Sequence, residues 1–183
     1  MRQIIVTEFI SIDGIAEVEK LPSVTWNSEM DQFKNDELAD SGAMLLGRKT
    51  YQIFAGSWPS ETGDFAERFN ALPKYVASTT LTELGWKPAE LLKGALPDAV
   101  KALKEGSGGN IYVHGSISVA QALLRHGLVD RIRLLSYPAA LGGGKPFFAP
   151  GQQHKLEPVS ATRFSNGVVA LEYVPGDRRA ERA

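Results

Sequence analysis

Three short runs of small, hydrogen-bonding residues have types and spacing suited to holding an anion. Gly47-Arg48-Lys49-Thr50 follows the apolar run 43–46, Ser78-Thr79-Thr80 closes the run 74–78, and Gly115-Ser116-Ile117-Ser118 follows the run 110–114. A glycine where a strand gives way to a helix lets a ligand approach the main chain closely. The free amides of the helix's first turn, with its dipole, then favour a group such as a phosphate. Arg48 and Lys49 add full positive charge, and Thr50, Ser78, Thr79, Thr80 and Ser116 add hydroxyl donors. One such junction is no more than ordinary helix capping produces. Three in succession point to a nucleotide.

Several other chemistries lack their residues. Gly142-Gly143-Gly144-Lys145 looks like part of a phosphate-binding loop, but Pro146 stands where the metal-holding Ser or Thr belongs. Gly106-Ser107-Gly108-Gly109 lies between a helix and a strand, the wrong order for a dinucleotide fingerprint. His114, His126 and His154 are far apart, and none is paired at helical spacing with another ligand, so no metal is expected. With no cysteine there is no disulfide, thiolate zinc site or Cys nucleophile. No Gly-x-Ser-x-Gly elbow anchors serine hydrolysis.

The elements that must position the three runs follow from periodicity. β-Branched and apolar stretches at 3–10, 43–46, 74–78, 110–114, 131–137 and 168–174 read as strands. Helical patterns start at 27 or 28 and run to about 39, start at 48, and cover 64–72, 98–105 and 116–126. The first has Met30, Phe33, Leu38 and Ala39 on one face; the last ends at Gly127, where a C′ glycine belongs. Alternating strands and helices imply an α/β architecture with a mostly parallel sheet. The segments 155–164 and 168–174 are joined by Ser165-Asn166-Gly167, a hairpin signal that adds antiparallel strands at the C-terminal end.

The 183 residues carry 20 basic and 21 acidic side chains, a net charge of −1. That length predicts one domain, residues 1–175, followed by a flexible charged tail from Gly176 to Ala183. A pI of about 6.3 argues against a nucleic-acid partner. The amino-terminal residues lack the apolar core of a signal peptide, and no stretch approaches the roughly 20 apolar residues that span a bilayer. The expectation is a cytoplasmic protein with no membrane partner.

The motifs also resemble a known family. Gly47-Arg48-Lys49-Thr50-Tyr51, Val76-Ala77-Ser78-Thr79-Thr80-Leu81 and Val113-His114-Gly115-Ser116 are similar to the three cofactor motifs of dihydrofolate reductases. Ser11-Ile12-Asp13-Gly14 resembles the reductase domain of bifunctional riboflavin-biosynthesis deaminase-reductases. So does the run from Gly127-Leu128-Val129-Asp130-Arg131 through Leu141-Gly142-Gly143-Gly144-Lys145-Pro146 to Phe147-Phe148. The ordered set spans Ser11 to Phe148. It implies a dihydrofolate-reductase-like mixed sheet of about eight strands flanked by helices, NADPH as hydride donor, and a homodimer. The apolar stretch Leu134-Leu135-Ser136-Tyr137-Pro138 hints at such pairing, although sheet-core burial explains it equally well.

Carried over by position, Gly47, Arg48, Lys49 and Thr50 cradle phosphates, while Ser78, Thr79 and Thr80, with Arg48, hold the adenosine 2′-phosphate. His114, Gly115, Ser116 and Ile117 meet the pyrophosphate across a Gly115–Ser116 peptide expected to be cis. Asp13 and Ile15-Ala16 lie beside the nicotinamide, although Asp-Gly is also an ordinary turn. Hydroxyls replace the ribose-binding acid that NAD would require after the second strand, which independently favours NADPH.

Hydride transfer to a C=N or C=O bond leaves charge on the heteroatom, so an acid or fixed dipole is needed there. Counting back from the Gly-Arg motif selects Asp31 as the acid, whereas matching Phe33 selects Glu29. At i, i+2 on a helix the two cannot face the same way. Both equally suit first-turn acids complementing the helix dipole. Trp26, Tyr51 and Trp58 are available to wall a flat heterocycle, positions that core packing fills equally well. Three functions follow: a riboflavin-type reductase of a pyrimidine- or pterin-like compound, such as 5-amino-6-(5-phosphoribosylamino)uracil; dihydrofolate reductase proper; or a nucleotide-binding protein without catalysis. The His/Cys zinc ligands of a deaminase are missing.

Overall fold

A computed structural model describes residues 1–176. Eight strands form one sheet: β1 (Ile4–Ser11), β2 (Ser41–Gly47), β3 (Lys74–Ala77), β4 (Ala89–Leu91), β5 (Asn110–His114), β6 (Arg131–Tyr137), β7 (Leu156–Arg163) and β8 (Val169–Pro175). Five helices connect or flank them: α1 (Ser28–Asp40), α2 (Arg48–Ser57), α3 (Asp64–Ala71), α4 (Leu96–Glu105) and α5 (Ile117–Arg125). The strand order is β4-β3-β2-β5-β1-β6-β8-β7. All pairings from β4 to β6 are parallel, and β6–β8 and β7–β8 are antiparallel.

Period-two alternation distributes the strands between the two faces. Ala43 and Leu45 of β2 join Val6, Val113, Ile132 and the α5 residues Ala120 and Leu123 in one core. Met44 and Leu46 point the other way, onto Tyr51, Phe69 and Trp86. A third cluster packs Met30 of α1 against Leu135, Val168 and Ala170. Each fully buried Leu or Ile contributes about 1.5–3 kcal/mol of transfer free energy. The stretch around Leu134, Leu135 and Tyr137 is buried in the sheet, so core packing accounts for its apolar character.

Caps set the helix ends. The Asn27 side chain accepts from Met30 N at 3.0 Å to start α1. Gly127, at φ +62°, closes α5 while Leu128 N donates to Leu123 O. The expected hairpin forms, as a three-residue turn at Ser165-Asn166-Gly167 in which only Gly167, at φ +90°, is left-handed and Phe164 N donates to Val168 O.

Several expectations are corrected. Ser78-Thr79-Thr80 does not open a helix: β3 runs into a loop that leads to the three-residue β4, which periodicity did not reveal. On α1, Ala39 is exposed and Glu37 takes a buried place. The Gly115–Ser116 peptide is trans, and the turn is made by two successive left-handed residues, each at φ +55°. Of the expected tail, Gly176 is held by its N–H to Lys155 O, and residues 177–183 lie outside the described residues. No helix among the described residues is long and apolar enough to cross a membrane.

Candidate functional site

The site opens where β1 and β5 part. Their register runs from Ile4↔Ile111 to Thr7↔His114 and stops, because the chain turns away at Gly115, while β1 continues along β6 to Ser11. Glu8 is therefore the first β1 residue without a β5 neighbour. A cavity of about 1330 Å³ enters this gap, bounded by β1, β2, β5 and the starts of α2 and α5, with α1 and α3 along one side. This is the crevice at strand carboxyl ends where open α/β sheets take ligands.

Two glycine turns, at the ends of the neighbouring strands β2 and β5, lie side by side on the cavity wall and are bonded together. Gly47 N donates to Ser116 Oγ at 2.9 Å, and Ser116 N donates to Thr50 Oγ1 at 3.0 Å. With the Ser116 hydroxyl engaged in this way, neither α2 nor α5 has a side-chain cap on its first-turn amides. Apart from Val119 N, which donates to Ser116 O, the first-turn amides are open to an acceptor from a ligand. Space here is reserved by glycine: a Cβ on Gly47 would lie 3.2 Å from Val119, and one on Gly115 would lie 3.2 Å from Thr50 Cγ2. Arg48 and Lys49 border the same space. The donor set fits a diphosphate carried by a nucleotide.

Another part of the wall is aromatic, and a charge cluster lies on the wall as well. Ile53, Phe54, Trp58, Phe65 and Phe69 line it, with Trp26 at the rim. Trp26 Nε1 donates to Asp31 Oδ1 at 2.5 Å. Lys34 Nζ donates to Thr7 Oγ1 at 3.0 Å and to Glu37 at 2.9 Å, and lies 4.9 Å from the centre of the Phe9 ring.

Of the residues selected from sequence, the cavity wall includes Asp31, Ala16, Gly47, Arg48, Lys49, Thr50, His114, Gly115, Ser116, Ile117, Trp26 and Trp58. Glu29 points elsewhere, accepting from the backbone and hydroxyl of Ser165 in the β7–β8 turn, and the Ser165 hydroxyl above all holds its carboxyl below the usual range. Asp31 faces the cavity, whereas Glu29 ties α1 to the hairpin. Asp13 also lies off the cavity. It accepts from Ser11 Oγ, Leu141 N and Gly142 N, which lower it to about 2 and lock two loops together. Tyr51 is buried, its hydroxyl accepting from Trp86 N. Ser78 caps its own turn through Thr80 N and Leu81 N, and neither it nor Thr79 and Thr80 reaches the cavity wall, which ends at Ala77.

Sequence reasoning passed over Glu8, Lys34 and Lys145, all on the wall. Glu8 is 6% exposed, and its Oε2 is buried without a partner. Burial pushes its carboxyl up to about 7, against smaller opposing effects from Phe9 N, Lys34 and Lys145. Half-buried His114 is pushed down to about 4, chiefly by desolvation of its ring, and its Nε2 also lacks a partner. Between 4.5 and 7 the folded state holds a Glu8 proton that the unfolded chain has released, so Glu8's contribution to stability is lost as pH rises. Between 4 and 6.5 folded His114 lacks a proton that the unfolded chain binds, so its contribution is lost as pH falls. The two slopes oppose each other in the native protein. Glu8→Gln is expected to unmask the histidine, and its unfolding free energy should rise by about 1.4 kcal/mol per pH unit relative to the native protein between 4.5 and 7, where only the native protein loses the Glu8 contribution. Urea titrations across that range check it; parallel curves for both proteins would reject the assignment.

No group of three or more metal-ligating side chains occurs among the described residues.

Known proteins place this architecture. The chain is 30% identical over 179 residues to the uncharacterized protein YyaP of Bacillus subtilis (strain 168), covering 94% of each. A Shewanella sp. PV-4 protein named for riboflavin biosynthesis superposes with a TM-score of 0.77 at 21% identity, covering 94% of this chain and 98% of that one. A Thermotoga maritima diaminohydroxyphosphoribosylaminopyrimidine deaminase/5-amino-6-(5-phosphoribosylamino)uracil reductase superposes at 0.65 with 14% identity, over 95% of this chain and 56% of that one. The dihydrofolate-reductase-like sheet expected from the motifs is the fold observed. With residues 2–170 matching the model of the RibD C-terminal domain, this chain belongs to that family.

Proposed function

We propose that the protein is an NADPH-dependent oxidoreductase that reduces a pyrimidine- or pterin-like heterocycle. The observation that carries this reading is the pair of cross-bonded glycine turns, with uncapped helix amides, at the gap between β1 and β5. Family membership and the reductases of similar fold support it. A reduced nicotinamide would supply the hydride. The first-turn amides of α2 and α5 hold the diphosphate, Arg48 meets the 2′-phosphate, and Asp31 with Trp26 and Trp58 orients the flat ring.

The substrate side admits a second reading. Ile53, Phe54, Trp58, Phe65 and Phe69 give that wall an apolar, aromatic surface. Such a wall suits an aryl-bearing pterin, as in dihydrofolate, better than a phosphorylated sugar. NADPH oxidation with 7,8-dihydrofolate and with 5-amino-6-(5-phosphoribosylamino)uracil as alternative substrates separates the two. Robust turnover of dihydrofolate alone selects the second reading.

Cofactor choice is tested by fluorescence titration. NADPH is expected to bind more tightly than NADH, and Arg48→Ala to erase roughly 10- to 100-fold of that preference by removing one charge-assisted contact. Equal affinities in the native protein, or a preference unchanged in the variant, would reject the role given to Arg48.

A further inference from the structure

Reduction of a C=N or C=O bond requires a proton at the heteroatom, and the acids that sequence spacing selects are not free to give one. Asp13 and Glu29 lie off the cavity, bound to other loops. Asp31 is exposed and already accepts from the Trp26 indole. Glu8 differs from all three. It stands at the point where β1 loses β5, on the wall of the cavity that Lys34 and Asp31 also line. Its Oε2 comes within 3.9 Å of the position a Gly115 Cβ would take. Its Oε1 accepts from Phe9 N at 3.0 Å, whereas Oε2 has no partner. An oxygen receiving an N–H acts as the carbonyl of a neutral carboxyl, so the proton resides on Oε2.

We propose that Glu8 is the proton donor of this site, delivering the Oε2 proton to the substrate nitrogen or oxygen next to the carbon that receives hydride. The assignment rests on the reductase reading above. As the carbon gains hydride from a reduced nicotinamide nucleotide, the former C=N or C=O pair collects on the heteroatom and takes the proton. The O–H bond of Glu8 breaks, its electrons stay on Oε2, an N–H or O–H bond forms, and water restores the proton afterwards. Burial keeps the acid form available near neutrality. The cations acting on it are Lys34 of α1 and Lys145 of the loop after β6. Both favour the carboxylate left by the transfer. Other titratable groups on the cavity wall are Glu19, Asp31, Arg48, Lys49 and His114.

Glu8→Gln tests this, because an amide keeps the shape and can donate a hydrogen bond but cannot surrender a proton. In ligand-free protein with carbon-13-labelled glutamate, the carboxyl signal missing from the variant is expected to titrate near 7; titration in the ordinary carboxylate range would overturn the assignment. The variant is expected to melt no lower than the native protein at pH 7 and to bind NADPH within about threefold. Single-turnover NADPH oxidation, with the two heterocycles named above as probes, is expected to slow by roughly 100-fold or more. The native rate is expected to fall above about pH 7, and the variant to lose that dependence. If the native protein binds no NADPH, the reductase reading fails and this proposal with it. If NADPH binds normally and the variant oxidises it at the native rate with the same pH dependence, only the role of Glu8 is overturned.

Discussion

Gly115→Val is expected to weaken NADPH binding at least 100-fold. Gly115 sits at φ +55°, a region that β-branched residues avoid. A Cβ there would lie 3.2 Å from Thr50 Cγ2 and 3.4 Å from Thr50 Oγ1. Thr50 cannot yield freely, because its Oγ1 receives Ser116 N and so fixes the second turn. The valine would both fill the gap beside Glu8 and pull apart the two turns whose amides are to hold phosphate. The backbone strain alone costs about 1–3 kcal/mol. Loss of binding must therefore be measured below the variant's melting transition, with circular dichroism confirming the fold. Gly14→Ala is the control: Gly14 lies at φ +77° with nothing within 4 Å of the added carbon. It should lose comparable stability and leave NADPH affinity within about threefold. Native-like affinity in Gly115→Val would show that the cofactor does not lie across this turn.

The second large effect is structural. Glu37 is 1% exposed on α1, 2.9 Å from Lys34 Nζ and 3.6 Å from Arg133. Lys34 and Arg133 are themselves mostly buried, and Arg133 has a second carboxylate in Glu172 at 3.4 Å. Taking one partner from a buried ion pair strands the other charge in a poorly solvated place and costs about 3–5 kcal/mol. Glu37→Leu should accordingly lower Tm by roughly 6–20 °C for a domain of this length. Adding Lys34→Met removes the stranded ammonium and should recover part of the loss; a double variant no more stable than Glu37→Leu alone would contradict the network around Lys34.

These residues also show what the chain discloses by itself. The turns at Gly47 and Gly115 are legible because glycine next to helix-starting hydroxyls is a local signature. Helix α1 is legible from Asn27 and the spacing of Met30, Phe33 and Leu38, and the final hairpin from Asn166-Gly167. The turn at Ser78 misled because its hydroxyl caps a loop with the same chemistry it would use at a helix start. Strand β4 is three residues long and leaves no periodic trace. Choosing Asp31 over Glu29 needs Ser165, 136 residues away from Glu29. Glu8 is the instructive omission. Alternation along β1 places it among Ile4, Val6 and Ile10, where a carboxylate looks merely anomalous. What makes it a candidate acid is the early end of β5, which opens a cavity at its side chain, and burial that outweighs the cations at positions 34 and 145; both are products of tertiary structure.

The cavity wall carries both aromatic side chains and the donor-rich glycine turns. A ligand that spans both must combine a flat ring with phosphate, or arrive as two molecules meeting near Glu8. The reductase account requires the second arrangement.

A crystal structure of the protein grown with NADPH tests that account most directly. It predicts density for the diphosphate against the first-turn amides of α2 and α5, with the nicotinamide entering the gap between Thr7 and Gly115. Turns left empty at saturating NADPH, or a nucleotide bound elsewhere on the surface, would contradict it.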